Sequence, residues 1–405
     1  MTLMYNNTKY SIIIPVKDGM RYVESSVKLL LQSNRDDFEL IISNNHSKDW
    51  DVSLELKWAR DDRVRIIRPI STLSMSEHYD FALRHAAGQW VQILGADDSV
   101  LPWYFEIADK IINRFPNMNI ITWNRSYFFW PDCQKVYDNR CLEFEFEHKI
   151  TKKNFKFNFY LCIYGFKSLV DLPQIYTGSL IKKSIIDEIR NISYGKFYYS
   201  IIPDVYSTIA IMCKENKYLR VNTPLTLIGT SGNTMHQGNR IYSDSSISTE
   251  NICDFNSKLH STILKDFHKL GLEPTYLLEC ARSIPTSLKF SSKSFLTFSC
   301  YLSLFASFIR NDKQIRMSRK IFWRQFFDDP EFTNFQLTLC LILSPILVLM
   351  QIFSTAQNMI FTKLRLIFKQ KNDGFQSDDR VRFRNTYEAA NYLSIFTDFL
   401  LSKRF

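Results

Sequence analysis

The sequence predicts an α/β fold, with a mostly parallel central sheet, helices on both faces, and a helical C-terminal region after it. Strand-like and helix-like stretches alternate through roughly the first quarter of the chain, polar residues crowd at the ends of the strand-like runs, and charge vanishes from one late window. The 405 residues are 45% hydrophobic and 23% charged, enough to bury a large core and too apolar for a disordered chain. Eleven glycines and twelve prolines exclude collagen-like or linker-dominated architectures. Eight cysteines without a C-x-x-C pair argue against a zinc knuckle or disulfide scaffold and fit a reducing compartment.

The elements follow in order. Tyr10 to Ile14 is a β-branched run ended by Pro15, and Val23, Val27, Leu30 and Leu31 then recur at helical spacing. Phe38 to Ser43 is a second strand, Trp50 to Arg60 suits a helix, and Val64 to Ile67 reads as a third strand. Glu77 to Ala87 reads as a helix closed by Gly88, and Trp90 to Leu94 as a fourth strand. Leu101 to Phe115 places Tyr104, Ile107, Ala108, Ile111, Ile112 and Phe115 on one helical face, with Pro102 tolerated in its first turn. Farther on, Leu180 to Ile189 and Val205 to Met212 are expected to be helical.

In parallel sheets, ligands bind outside the carboxyl ends of the strands. The residues there are polar: Pro15-Val-Lys-Asp18, Ser43-Asn-Asn-His-Ser-Lys-Asp49 and Gly95-Ala-Asp-Asp98. Asp97 and Asp98 directly follow a buried-looking strand, where a divalent cation would relieve their repulsion. There is neither a Walker A sequence nor a G-x-G-x-x-G after the first strand, which disfavours an ATPase or a dinucleotide-dependent dehydrogenase. Gly229-Thr-Ser-Gly-Asn233 is only superficially a nucleophile elbow.

These segments, in this order, resemble the family 2 glycosyltransferases, nucleotide-sugar-dependent enzymes of GT-A fold. Ile13-Ile-Pro-Val-Lys-Asp18 resembles the opening IPVYN segment, and Ile42-Ser-Asn-Asn-His-Ser-Lys-Asp49 the DDGSTD or SDNASTD segment. Ala86-Ala-Gly-Gln-Trp-Val-Gln-Ile-Leu-Gly-Ala-Asp-Asp98 resembles A-x-G-E-Y-I-x-x-L-D-x-D-D, the most specific of the matches. The resemblance covers about the first 240 residues. It implies a divalent metal, Mn or Mg, held by Asp97 and Asp98 with His236 as a further ligand. It also implies donor contacts from Pro15, Val16, Asp18, Asn44, Asp49, Asp80, Ala96, Asp97 and Asp98. Thr177 and Gly178 fall on the acceptor side, and Asp204 takes the role of catalytic base in an inverting transfer. Four positions depart from the pattern: Gly95 and Asn44 stand where Asp is usual, Asp80 where Asn is common, and Pro203 where Glu is.

Other uses of the same residues stay open. Asp97 and Asp98 also suit capping of the helix near Pro102, and Asp204 suits capping of the run from Val205. His236 suits a solvated loop, while Asp18, Asn44 and Asp49 are ordinary turn residues. His78 and His85 read as structural. The competing functions are a non-catalytic, membrane-associated sugar-binding or scaffold protein on a degenerate version of the fold, and a nucleotidyltransferase, which lacks the glycine- and arginine-rich loop expected after the first strand.

The expected organisation is a catalytic domain over 1–240, a helical extension over 241–330, an apolar membrane-associating segment over 331–371 and a basic, amphipathic tail over 372–405. Ile252 to Leu270 has amphipathic helical spacing ending at Gly271, and Tyr387 to Leu401 is a second amphipathic candidate. No charge occurs from Phe332 to Thr362, and Ser344-Pro345 in its middle suits a kinked or re-entrant pair of helical segments. Lys and Arg bracket this window. Together with a net charge of +10, this favours anionic lipid over specific nucleic acid. With no apolar leader before Tyr10, the expected location is the cytoplasmic face of a bacterial membrane. The expected partners are a nucleotide sugar and a glycan or lipid-linked acceptor.

Overall fold

A computed structural model of the protein describes residues 8–137, 141–200, 202–232, 273–289, 293–310, 323, 332–368 and 382–402. His236 and the stretch from Ile252 to Leu270 lie outside the described residues. The first half opens as β1 (Tyr10–Val16), α1 (Met20–Leu31), β2 (Phe38–Asn44), α2 (Val52–Trp58), β3 (Val64–Ile67), α3 (Met75–Leu83) and β4 (Trp90–Ile93). It continues as β5 (Ser99–Val100), α4 (Tyr104–Arg114), β6 (Ile120–Trp123), β7 (Ser126–Phe129), β8 (Leu142–Glu143), β9 (Ile150–Asn154) and α5 (Phe155–Ile163). Then come β10 (Ser179–Lys182), α6 (Lys183–Ile192), α7 (Pro203–Met212), β11 (Lys217–Val221) and β12 (Thr226–Thr230).

Eight strands form the central sheet in the order β3-β2-β1-β4-β10-β6-β11-β9. β3, β2, β1 and β4 are mutually parallel, whereas β10 runs antiparallel between β4 and β6. Chain order reverses across the β1/β4 boundary, so the crevice beyond the carboxyl ends of these two strands is the expected ligand position. Successive residues of β1 face opposite layers. Ile13 joins the core beneath α3, α5, α6 and α7, while Ile12 and Ile14 join the core beneath α1 and α4.

The predicted strands and helices before residue 116 are all present, with ends moved by a few residues. Local chemistry sets those ends. Ser74 and Glu77 form a capping box at the start of α3, and Asp51 caps α2 through the amides of Ser53 and Leu54. The stretch expected as one helix from Leu180 divides instead into β10 and α6. Leu180 and Ile181 are adjacent and both fully buried, one in each core, which only a strand inside a sheet achieves.

A second, four-stranded sheet has the order β5-β12-β7-β8. Through it β7 and β12 form a wall beside the turn after β4, where Trp130 donates to the Asp97 carbonyl. Beyond the catalytic half, α8 (Glu273–Ser283) and α9 (Lys293–Ile309) pack in the core beneath α5 and α7. The apolar window forms one unbroken helix, α10 (Asn334–Phe368), with Pro345 inside it, rather than a pair of segments. Its 334–357 part is long and apolar enough to cross a membrane. One face, with Cys340, Leu347, Val348 and Gln351, is buried, and Gln351 donates to the carbonyl of Tyr164 at 2.7 Å. The tail forms α11 (Thr386–Leu393) and α12 (Thr397–Ser402). Ala389, Ala390, Leu393 and Leu400 close the core on the α1 side, and Lys28 lies over the Tyr387 ring at 3.9 Å.

Candidate active site

The polar loops at the ends of β1 and β2 are laced to each other. Asp18, in a left-handed conformation at φ 50°, accepts from the Lys48 amide at 2.7 Å, and its own amide donates to Ser47 Oγ. Asp49 accepts from the amide of Met20 at 2.9 Å, satisfying a free donor at the start of α1. Asn44 is buried and accepts from the Ser47 amide at 2.8 Å, an Asx turn that shapes the loop from within. A Cβ on Gly19 would meet that of Ala96 at 3.2 Å, so the turn after β1 lies directly against the turn after β4. Asp18 and Ala96 therefore stand on two turns that meet, with Asn44 and Asp49 holding the neighbouring loop in shape, while Val16, at the end of β1, is fully buried in the core.

Beneath this loop, His78 Nε2 lies 2.8 Å from Ser43 Oγ, and burial, with Lys17 nearby, pushes the imidazole down to about 4. The unfolded chain would take up that proton first as pH falls, near ~6.5. Stability is therefore full above about 6.5 and declines as pH drops toward 4, by up to roughly 3 kcal/mol. Denaturant midpoints at pH 7.5 and 4.5 should show this loss, and His78→Gln, which keeps a polar partner for Ser43, should reduce it.

The two carboxylates after β4 have different surroundings. Asp98 is buried: Oδ2 accepts from the Gly95 amide at 2.7 Å and from the Thr177 hydroxyl, and Oδ1 accepts from the Gly229 amide at 2.8 Å. Its carbonyl accepts from Ser26 Oγ. Burial, and then the charge of Asp97, push the Asp98 carboxyl up to about 7, against the pull of those three donors. Asp98 thus ties β4, β12 and the start of β10 together. Asp97 is half-buried, with Oδ2 accepting from Ser231 Oγ at 2.7 Å and its carbonyl from Trp130 Nε1 at 3.0 Å.

Gly95 faces a ring of oxygens. A Cβ there would lie 2.6 Å from the Tyr176 hydroxyl, 2.8 Å from Asp98 Oδ2 and 3.1 Å from Asp97 Oδ1. The departure from Asp at this position thus has a steric cause, since Tyr176 fills the space a side chain would need. Within this ring the half-buried Asp97 carboxylate is the hard oxygen donor suited to a Mg- or Mn-class cation, which takes one or two carboxylates and completes its shell with phosphates and water. No group of three or more acidic, His or Cys side chains placed to hold a metal occurs among the described residues.

Tyr176 stacks on Tyr79, ring centroids 6.4 Å apart. Burial raises both phenols, and the charges of Asp97, Asp98 and Asp204 all add to it. The charges of both turns are thus felt at one aromatic pair. Asp204 stands in the first turn of α7, behind Pro203 at a position where the missing N–H costs nothing. Its Oδ1 lies 2.9 Å from the Val205 amide. Thr177 and Gly178 lie where β10 begins, beside Gly95, and the Gly178 carbonyl accepts from Thr122 Oγ1 at 2.8 Å.

Asp80 stands apart from this group. It is buried, accepts from the Phe197 amide at 2.7 Å and pairs with Arg84, anchoring α3 to the segment before α7. Residues the sequence did not single out also build the site: Tyr79, Tyr176, Ser26, Trp130, Gly229 and Ser231. Glycine at 229 is the one with a readable signal, in a strand context that favours close backbone approach.

The parallel strands with their switch point, the antiparallel β10 and the carboxylate turn after β4 define a GT-A-type fold. Residues 11–171 match the family described as Glycosyl transferase family 2. No curated protein matches the sequence. Among solved structures, S. aureus TarS 1–349 in complex with UDP-GlcNAc is similar at 12% identity and a TM-score of 0.45, over 72% of this chain and 87% of that one. The mannosyltransferase PcManGT from Pyrobaculum calidifontis, in complex with GDP-Man and Mn2+, is similar at 12% identity and a TM-score of 0.40, over 85% of this chain and 88% of that one.

Proposed function

We propose that the protein is an inverting, metal-dependent glycosyltransferase that moves a sugar from a nucleoside-diphosphate sugar to a hydroxyl of a glycan or lipid-linked acceptor in bacterial surface polysaccharide synthesis. The observation that carries this reading is the meeting of the turn after β1 with the Asp97–Asp98 turn after β4, beyond the strand ends where such folds bind ligands. The nucleotide would be received where the turns after β1 and β4 meet, near Pro15, Val16, Asp18 and Ala96. Asp97 would hold a divalent cation beside the diphosphate, with Asp98 fixing the turn from behind. When bound, that cation supplies Lewis-acid stabilisation of the leaving phosphate charge. Asp204 accepts the proton of the attacking acceptor hydroxyl, and Thr177 and Gly178 border the side from which that hydroxyl arrives. A single displacement of this kind inverts the anomeric centre.

Turnover of a panel of UDP-, GDP-, CMP- and dTDP-sugars with Mn2+ or Mg2+ is the test. Turnover of one donor is expected. Donor binding without turnover would favour the non-catalytic sugar-binding alternative, and absence of both would reject the reading.

The membrane part of this proposal rests on the outer face of α10, where Leu341, Ile342, Ile346, Leu349, Met350 and Phe353 are exposed. A helix with one face packed on the protein and an apolar face outside suits an in-plane position at the lipid surface. Membrane-bound protein should resist 1 M salt, in which the Debye length falls to about 3 Å, and should need detergent for release. Ile342→Asp with Leu349→Asp should move it to the soluble fraction. A wild-type protein that is soluble at low salt would overturn the membrane assignment.

A further inference from the structure

A polar cavity of about 230 Å3 opens between the β9–β11 edge of the central sheet and α5. The strand period builds it. Thr151 and Lys153 alternate along one face of β9, with Lys149 just before it, and Tyr218 and Arg220 alternate on antiparallel β11, with Asn222 just after it, in register with Lys153 opposite Tyr218 and Thr151 opposite Arg220. Lys167, beyond α5, completes the lining. Four cations thus surround a cavity whose lining holds one carboxylate, Asp171.

That carboxylate is engaged by Arg220, at 2.9 Å, and Arg220 is further fixed by the Asp171 carbonyl and by Asn124 Oδ1, each at 3.1 Å. Lys167 donates to Asn158 Oδ1 at 2.6 Å. Among the described residues, no hydrogen bond or ion pair neutralises the ammonium groups of Lys149 and Lys153. Lysines on an edge strand commonly serve to repel other strands, and for that purpose they point into solvent. Here Lys153 is half-buried and lines the cavity, with the exposed Lys149 at its rim. Partial burial first, then the charges of Lys167, Lys149 and Arg220, hold the Lys153 ammonium below the usual lysine range.

We propose that this cavity is an anion-binding site, distinct from the crevice at the ends of β1 and β4, for a phosphate group, either free or borne on a lipid head. The excess of three positive charges selects an anion of more than one negative charge. Arg220, braced by Asp171 and Asn124, presents a fixed guanidinium, and Lys149 and Lys153 add mobile point charges. The cavity is smaller than the roughly 300 Å3 at which pockets for drug-sized ligands begin, so a single phosphate-sized head fits it better than a nucleotide. The site does not depend on the sugar-transfer reading.

The test is calorimetric titration of the full-length protein with inorganic phosphate at constant ionic strength, beside sedimentation with vesicles of phosphatidic acid or of phosphatidylcholine alone. Wild type should bind phosphate saturably or prefer the phosphatidic acid vesicles. Lys149→Gln with Lys153→Gln should weaken the favoured interaction by about tenfold or more, the scale of losing charge-assisted hydrogen bonds. Lys153→Arg should retain it, and so should Asp97→Ala, whose change lies in the other crevice. A free anion is the ligand if the double variant loses phosphate but not vesicles, and a lipid head if it loses the vesicle preference. Equal binding by wild type and double variant in both arms, or loss in Asp97→Ala alone, would overturn the proposal.

Discussion

Gly229→Ala is expected to abolish donor binding and to destabilise the fold, although it adds one methyl group to a strand. The added Cβ would lie 1.8 Å from the Asp97 carbonyl oxygen and 2.4 Å from its carbon, with Trp130 Nε1 at 2.9 Å. The nearest obstacle is backbone, so no side-chain rotation relieves it, and either β12 or the carboxylate turn has to move by more than an ångström. Overpacking of this severity belongs at about 3 kcal/mol or above. The movement also breaks the 2.8 Å bond from the Gly229 amide to Asp98 Oδ1, leaving a buried carboxylate short of a donor. Displacement of Asp97 by about 1 Å is enough to lower turnover by roughly a hundredfold. Thermal unfolding and donor titration of the variant check both halves. A variant with wild-type melting and donor affinity would mean that the close approach of β12 to the turn does not organise the site.

Gly229 also marks the limit of what the sequence discloses. The strands before residue 100 are legible because each is a run of β-branched and apolar residues closed by a turn former, and the carboxylate turn is legible because two adjacent acids at a strand end invite a ligand. What governs that turn is non-local. Asp98 answers to Thr177 and Gly229, 79 and 131 positions away along the chain, and no window of sequence holds those partners together. The departure at Gly95 likewise has its reason in Tyr176. Leu180 and Ile181 read as helix because the helical phase of Ile185, Ile186 and Ile189 extends back over them, whereas pairing with both β4 and β6 makes them a strand. Asp80, matched by position in the motif order, is spent on Arg84 and the Phe197 amide.

Asp204→Asn should lower turnover by about a hundredfold or more while leaving donor affinity essentially unchanged, because the amide keeps the size of the side chain but cannot take a proton. The main competing role for this residue is structural. Asp204 lies in the first turn of α7, whose N-cap Ile202 offers no side-chain acceptor, so its charge also favours the helix dipole by roughly 0.3–1 kcal/mol. The two roles separate cleanly in measurement. A helix-stabilising residue would show a lowered melting temperature with kcat little changed at a temperature where the variant is folded. A base would show the opposite, with kcat and kcat/KM falling together. Asp97→Ala provides the contrast, since loss of the carboxylate beside the diphosphate should weaken metal-dependent donor binding itself. If Asp204→Asn instead turns over at the wild-type rate, the proton is taken by another group, and Asp204 serves only the first turn of α7.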